Sequence, residues 1–284
     1  MAPKADTSEH LGNVRRYYDH NDPLFERFSP GSGTIHRAVW GPGVKNRAQA
    51  FHHLHELLLQ ALPASTTGPA KVVDLGCGVG ASLLYLAGRA EIRGEGLTLS
   101  SVQARRAATL IESAGSRECV RCREGNYLDP PEDLREADLV FSIEAFVHGP
   151  DPAAYFHAAA RLLHPGGRLV VCDDFLGPTA APLGSRQARW LEDFRAGWRV
   201  GSLVTVEEAR ALAVVAGLRP VGAQDLTPYL ELRRPRDRLI SLLLTLGRPF
   251  SPRGEYWLSL LGGDALQRAL VARVLTYNFL TFEA

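Results

Sequence analysis

The sequence has no long apolar stretch and almost no excess of charge. No segment approaches the roughly 18 apolar residues of a membrane-spanning helix, and Met1 to Leu11 lack the apolar core of a secretory signal. With 32 basic and 31 acidic residues, the formal net charge is +1, so no strong field favours nucleic acid or a membrane surface. We therefore predict a cytoplasmic protein without a membrane span or a nucleic-acid partner. Its expected partner is a small molecule, and the sequence is compatible with a homo-oligomer.

Cysteine is also scarce. The four cysteines, at positions 77, 119, 122 and 172, fall in predicted strands or in a glycine-rich turn, which predicts buried free thiols in a reducing compartment. Cys119 and Cys122 form a CxxC pair, but no second pair or histidine follows at metal-binding spacing. His52, His53 and His55 have i, i+1, i+3 spacing on a predicted helix, so their three imidazoles cannot all reach one ion. We expect no metal.

Strand and helix signals alternate between Lys71 and Asp173. Alternation of this kind predicts a parallel, doubly wound α/β sheet with helices on both faces. The apolar runs that predict its strands are residues 71–75, 92–98, 119–123, 138–143 and 168–173. A helix from Thr205 to Ala216, with a capping box between Thr205 and Glu208, then leads to strands at 218–225 and near 277–282.

A turn with glycine at every second position follows the first predicted strand. It reads Asp74-Leu75-Gly76-Cys77-Gly78-Val79-Gly80, and glycine leaves room for a ligand to approach the main chain where a strand gives way to a helix. A dinucleotide-binding turn has the spacing GxGxxG and a pyrophosphate at the helix N-terminus. In this chain the third glycine comes one residue earlier than in that pattern, and Asp74 stands two residues before the first glycine.

This turn resembles the first motif of the class I S-adenosylmethionine (SAM) methyltransferases. A second segment, Gly96-Leu97-Thr98-Leu99-Ser100-Ser101-Val102-Gln103, resembles the branch of that family that contains cyclopropane fatty acid synthases and sterol and tocopherol methyltransferases. Most class I members have an acid at Thr98, whereas in this branch a glutamine, here Gln103, binds the ribose diol through its donor and acceptor. Ser100 and Gln103 also fit a helix N-cap and its N3 partner.

The resemblance implies a set of SAM-binding residues and a sheet order of 3-2-1-4-5-7-6 with the last strand antiparallel. Asn126 stands where many relatives have an aspartate that binds the adenine amine, and the region of His36 is expected to meet the methionine carboxylate. The predicted cofactor-binding residues are Asp74, Gly76, Gly78, Gly80, Thr98, Leu99, Ser100, Gln103, Asn126, Tyr127, Ser142 and His36.

A third segment, Ser142-Ile143-Glu144-Ala145-Phe146-Val147-His148, ends the predicted fourth strand in polar side chains. It resembles the Ser-Ile-Glu-x-x-x-His segment of the same branch, which implies that Glu144 and His148 are catalytic. Cyclopropane synthases usually have a glutamate where Val147 stands, and that glutamate belongs to their bicarbonate site. A cyclopropanating activity is therefore not expected.

Two regions lie outside the predicted core. Residues 1–68 are expected to form an N-terminal helical lid, and residues 69–284 the SAM-binding core, with lid insertions at about 174–203 and 226–270. Within the lid, Tyr18, Phe25 and Phe28 fit either a pocket wall or a helix face that packs on the core. The predicted substrate-binding residues are Tyr18, Trp40, Phe146, Trp190, Phe194, Trp198 and Tyr229.

Trp190, Phe194 and Trp198 share one helical face, which fits a pocket or the core equally well. The basic cluster from Arg233 to Arg238 predicts a solvated face or, alternatively, a site for an anionic group such as a diphosphate.

Three functions remain open at this point. The leading hypothesis is SAM-dependent C-methylation of an alkene carbon of an isoprenoid or similar apolar natural product through a carbocation that Glu144 and aromatic faces stabilise. The second is O-methylation of a natural-product hydroxyl with His148 as general base. The third, from another class, is a SAM-binding cyclase or binding protein that transfers no methyl group.

Overall fold

The computed structural model describes residues 7–28, 36–63, 68–178, 183–247 and 254–284. In the first helix it describes the side chains of residues 8–19 only, so Phe25 and Phe28 lie outside the described side chains.

One mixed sheet of seven strands forms the centre of the described chain. Its order is β3-β2-β1-β4-β5-β7-β6, and β7 pairs antiparallel with both β5 and β6. The predicted fold class and strand order are thus confirmed. The strands are β1 Ala70–Leu75, β2 Ile92–Thr98, β3 Val120–Glu124, β4 Ala137–Ile143, β5 Leu163–Leu176, β6 Arg219–Asp225 and β7 Leu275–Glu283.

Nine α-helices are described. They are α1 Thr7–Phe28, α2 Arg47–Ala61, α3 Ala81–Ala87, α4 Ser101–Ser113, α5 Pro152–Ala160, α6 Ser185–Trp198, α7 Val206–Val215, α8 Pro235–Gly247 and α9 Glu255–Val271. Among them no helix is long and apolar enough to span a membrane. The division into an N-terminal lid and a core with two insertions stays a prediction.

Local sequence explains where several helices begin. Ser100 accepts a hydrogen bond from the Gln103 amide N–H at 3.1 Å and caps α4. Asp151 caps α5 ahead of Pro152, the position at which the missing N–H of proline costs least. Thr205 and Glu208 form the expected capping box of α7. These side chains satisfy the orphan N–H groups of the first turn and fix the chain at the ends of the strands.

The fifth strand is longer than expected at both ends. We predicted residues 168–173, whereas β5 runs from Leu163 to Leu176. At its start Ala137 pairs with Leu163 and Leu139 pairs with Arg168, so the Pro165-Gly166-Gly167 segment forms an irregularity inside the strand. Gly166 has φ of 86°, which suits glycine. At its end β5 continues along β7 as far as the Leu176 and Leu275 pair.

Candidate active site

A cavity lies at the carboxyl ends of β1, β2, β4 and β5. Because β1 lies between β2 and β4 in the sheet, the connections diverge at this point and leave a crevice. The predicted site residues that line it are Tyr18, His36, Asp74, Gly76, Gly78, Thr98, Leu99, Ser100, Gln103, Tyr127, Glu144, His148 and Trp198.

The glycine turn forms one wall of the cavity. Gly76, Gly78 and Gly80 have φ of 104°, 54° and 76°, values that residues other than glycine rarely adopt. A Cβ on Gly76 would lie 2.4 Å from the Cβ of Ala145. The N–H groups of Gly76 and Cys77 both donate to the Leu97 carbonyl at 2.9 Å. The turn is therefore held between β2 and the segment after β4, with its main chain open to the cavity.

The segment after β2 presents an unpaired amide donor. Thr98 Oγ1 donates to Gln103 Oε1 at 2.8 Å, and this bond fixes the orientation of the amide. Gln103 Nε2 is buried and has no hydrogen-bond partner among the described residues. A buried donor without a partner costs about 1–3 kcal/mol, so a bound hydroxyl acceptor at this position would relieve that cost. Ser100 Oγ also donates to Asp19 Oδ1 of α1 at 2.5 Å, which ties the N-terminal helix to this wall.

Glu144 lies at the centre of an ion-pair network that sequence reasoning missed. Its Oε1 accepts from the Arg37 N–H at 3.0 Å, from Arg37 Nε at 2.9 Å and from the Tyr277 hydroxyl at 2.9 Å. Burial alone would raise the pKa of Glu144, but Arg37 and its other partners outweigh burial and lower it. The carboxylate is therefore ionised, and the positive charge of Arg37 balances its negative charge.

Arg37 connects three parts of the chain. Its terminal nitrogens donate to both carboxylate oxygens of Asp174, at 2.9 and 2.7 Å, and its guanidinium lies 4.2 Å from the ring centroid of Tyr277. The positive charge of Arg37 is thus shared between the carboxylates of Glu144 and Asp174. The segment before α2 is therefore fastened to β5 and β7 next to the cavity.

His148 lies across the cavity in a short 3-10 helix, Phe146–His148. Its Nε2 is 2.8 Å from the hydroxyl of Tyr18, and its Nδ1 has no hydrogen-bond partner among the described residues. Burial lowers the pKa of His148 to about 4, although the backbone of Arg199 and the charge of Glu144 act in the opposite direction. The imidazole is therefore neutral at physiological pH.

His36, in the cavity lining, belongs to a buried histidine cluster. His36 Nε2 is 3.1 Å from His55 Nε2, and His55 Nε2 is 3.0 Å from Ser82 Oγ. Burial lowers the pKa of His36 and lowers that of His55 to about 2. These imidazoles are neutral polar groups. Among the described residues, no group of three potential ligands is placed to hold a metal.

Some predicted residues lie away from the cavity lining. Gly80 packs against Cys122, Asn126 Oδ1 accepts from the Leu128 N–H at 3.0 Å, and Ser142 Oγ is 2.6 Å from the Tyr155 hydroxyl. Phe146 and Phe194 are buried in the hydrophobic core. Trp40, Trp190 and Tyr229 are partly buried outside the lining. The predicted binding roles of these eight residues gain no support from their positions.

The charged side chains of the described lining are mostly acidic. Asp74, Glu144, Asp173 and Asp174 contribute carboxyl groups, and Arg37 is the one arginine or lysine among the described lining residues. Burial raises the pKa of Asp74 and of Asp173 well above the usual range. A cationic ligand would favour the ionised form of both groups, so the cavity suits a positive charge.

Comparisons with known proteins agree with this geometry. A family model described as a methyltransferase domain matches residues 73–171. The 27-O-demethylrifamycin SV methyltransferase of Amycolatopsis mediterranei (strain S699) is 28% identical over 195 residues, which cover 69% of this chain and 70% of the relative. The structure of a geranyl diphosphate methyltransferase in complex with GPP and sinefungin is 21% identical and has a TM-score of 0.75, over 97% of this chain and 99% of that chain.

The matched domain supports a SAM-dependent methyltransferase. The chain is similar to the class I SAM-dependent methyltransferases, as the sequence predicted, and its methyltransferase domain indicates SAM as the cofactor. The [4+2]-cyclase SpnF has the same fold, at 20% identity and a TM-score of 0.73 over 96% of each chain. The fold alone therefore does not define the reaction.

Proposed function

We propose that the enzyme methylates a hydroxyl oxygen of an apolar, uncharged natural product, with His148 as general base. The observation that carries this proposal is the neutral, buried imidazole of His148 in the cavity wall, with Nε2 hydrogen-bonded to Tyr18. The proposal favours the second of the three functions that the sequence left open.

The lining residues suit SAM, which supplies a methyl group made electrophilic by a sulfonium. The unpaired Nε2 of Gln103 fits a ribose hydroxyl, and the open main chain of Gly76 and Gly78 fits close approach of the ligand. The carboxyl groups of Asp74 and Asp173 in the lining favour a cationic ligand. Each of these binding roles is part of the proposal.

A weak base is sufficient for this reaction. When a neutral hydroxyl gains a methyl group, its oxygen becomes positively charged and its proton strongly acidic. The new bond joins the methyl carbon to that oxygen, the bond from the methyl carbon to sulfur breaks, and the proton moves to a nitrogen of His148. With a pKa of about 4, the imidazole is available in its basic form at neutral pH.

Glu144 fits a positioning role better than that of a base. One of its oxygens already accepts three hydrogen bonds, and its charge is balanced by Arg37. Arg37 and the other partners lower the pKa of Glu144, which makes this carboxylate a weaker base. We propose that Glu144 holds Arg37 and Tyr277 in place beside the acceptor.

An uncharged acceptor follows from the electrostatics of the cavity. Arg37 is the one arginine or lysine in the described lining, and it is occupied by two carboxylates. Residues 233–238 contribute nothing to this lining. A diphosphate would therefore meet carboxyl groups without a free cation to bind it.

C-methylation of an alkene remains the second candidate. The specific observation in its favour is that the ionised Glu144 and the rings of Tyr18 and Trp198 line the same cavity. Charge and ring faces of this kind stabilise a carbocation. The expected aromatic wall is reduced, however, because Phe146 and Phe194 lie in the core.

The deciding experiment offers the enzyme isotopically labelled SAM and a panel of phenols, terpenoid alcohols, prenylated aromatics and prenyl diphosphates. Mass spectrometry detects labelled products, and NMR locates the methyl group. We expect a methyl ether. A new carbon–methyl bond would establish the second candidate instead, and SAM binding without any S-adenosylhomocysteine across the panel would favour a non-methylating cyclase or binding protein.

Substitution of the base gives a quantitative test with the accepted substrate. His148→Ala is expected to lower kcat by about 10²- to 10⁴-fold, the usual contribution of a general base, while SAM affinity changes little. His157→Ala, at an exposed position on α5, is the matched control. Retention of more than a tenth of wild-type kcat by His148→Ala would contradict the assignment.

A further inference from the structure

We propose that the outer face of α8 docks on the surface of an anionic lipid bilayer. Leu239, Leu242, Leu243 and Leu246 recur at the i, i+3, i+4 and i+7 positions of this helix, and their side chains are 57%, 56%, 57% and 64% exposed. We call these four residues the leucine face. A contiguous exposed stripe of large apolar side chains indicates an interaction surface.

The inner side of α8 is already packed. Leu244 and Ser241 are buried, and Arg268 of α9 donates to Ser241 Oγ at 2.6 Å. The leucine face points away from these contacts, so it is not needed to hold the helix on the protein. A further partner must account for it.

Charge identifies the partner. Residues 233–238 contain four arginines and one acid, and the acid, Asp237, accepts from Arg234 Nε at 3.1 Å. The side chains of Arg233, Arg236 and Arg238 are exposed beside the first turn of the helix. An apolar face with arginines along it is the pattern of helices that lie in the interface of anionic membranes. A second copy of the chain is a poorer partner, because its arginines would meet the arginines of this surface and no free acid on α8.

The position of α8 suits an apolar acceptor. The helix packs on α9, and the Ser259 carbonyl of α9 accepts from the indole N–H of Trp198 at 3.2 Å. Ser259 Oγ is 3.2 Å from the hydroxyl of Tyr17. Because Trp198 and Tyr17 line the cavity, docking would bring this wall near lipid in which an apolar acceptor dissolves. This consequence rests on the proposed function, whereas the docking itself does not.

The test is flotation of the full chain with lipid vesicles. We expect binding to vesicles of equal parts phosphatidylcholine and phosphatidylglycerol, weakened by salt, and far weaker binding to phosphatidylcholine alone. The double variant Leu242→Glu/Leu243→Glu should lose about tenfold or more in affinity, because even one buried leucine contributes more than a tenfold factor. Arg236→Glu/Arg238→Glu should lose binding to the anionic vesicles.

The control is Val214→Glu/Val215→Glu on α7, where the valines are 57% and 74% exposed. It should bind vesicles like the wild type. All the variants should keep the wild-type unfolding temperature and SAM affinity, since the substituted side chains are exposed. Absence of flotation with anionic vesicles, or equal binding by the leucine variant and the control, would overturn the proposal. So would a dimer by light scattering that the leucine variant abolishes, if no vesicle binding accompanies it.

Discussion

At the scale of single residues, the proposed cofactor site depends on one amide. Gln103 has its oxygen bound by Thr98 and its Nε2 unpaired among the described residues, so the amide is oriented before a ligand arrives. Gln103→Leu removes the donor at similar volume. We expect SAM affinity to fall about tenfold, as for loss of one hydrogen bond of about 1.4 kcal/mol, measured by isothermal titration calorimetry.

The matched control is Gln60→Leu, at an exposed position on α2, which should leave SAM affinity unchanged. An unchanged dissociation constant for Gln103→Leu would remove Gln103 from the cofactor site. The unfolding temperature of each unliganded variant serves to separate lost binding from lost structure.

The same scale shows what sequence reasoning can reach. Gln103, Glu144 and His148 stand out because each lies in a short motif at the end of a predicted strand. Arg37 does not, although it donates to Glu144 107 positions away and to Asp174 137 positions away. No periodicity or spacing encodes a contact between such distant positions. Only the three-dimensional fold brings Arg37 and Tyr277 to the carboxylate.

At the scale of elements, α6 and α9 cross at two glycines. A Cβ on Gly197 would lie 2.3 Å from the Leu258 carbonyl oxygen, and a Cβ on Gly262 would lie 2.8 Å from Trp198 Cδ1. Gly197→Ala must therefore push the helices apart and displace Trp198 from the cavity wall. We expect a loss of about 1–3 kcal/mol in the free energy of unfolding, as for overpacking, and a higher KM for the acceptor.

The control is Gly263→Ala on α9, next to Gly262 in the crossing. Its Cβ would meet only Trp198, at 3.8 and 3.9 Å, which is ordinary contact. Because alanine favours a helix over glycine by about 1 kcal/mol, this variant should be as stable as the wild type or more stable. Urea unfolding distinguishes the two, and equal stability of both variants would refute the close crossing.

Element boundaries were predictable where a local signal marks them. The caps at Ser100 and Thr205 fix the starts of α4 and α7 as expected. The ends of β5 carry no such signal, since its extension depends on pairing with Ala137 at one end and Leu275 at the other. The same holds for the aromatic stripe of α6. Phe194 lies in the core and Trp190 packs against it, whereas Trp198 lines the cavity, and this division depends on how α6 packs on α9.

At the scale of the whole molecule, a net charge of +1 conceals an uneven distribution of charge. Carboxyl groups are concentrated in the cavity, and arginines are concentrated beside the leucine face of α8. The near-zero sum led to the expectation that no membrane surface is bound, but a sum carries no information about local fields. The proposed docking depends on a few neighbouring side chains within a Debye length of lipid.

Buried titratable groups also couple the stability of the whole fold to pH. Burial and its histidine neighbours lower the pKa of His55 to about 2 in the folded chain, against about 6.5 in the unfolded chain. Below pH 6.5 the unfolded state therefore binds a proton that the folded state does not. Stability falls as the pH falls, by about 2 kcal/mol from this group between pH 7.5 and pH 5. The raised pKa values of Asp74 and Asp173 act in the opposite direction.

Because these contributions overlap in the wild type, the prediction concerns the difference in unfolding free energy between the wild type and a variant without His55. His55→Gln removes the titration and keeps an amide for the Ser82 contact, so the stability advantage of the wild type over this variant should shrink by about 2 kcal/mol between pH 7.5 and pH 5. Urea unfolding at intermediate pH values measures it. His157→Gln, at an exposed position, should show no such trend. A constant difference between the wild type and His55→Gln over this range would mean that the histidine cluster accepts a proton in the folded state, and that the cavity end formed by His36 carries a positive charge below pH 6.5.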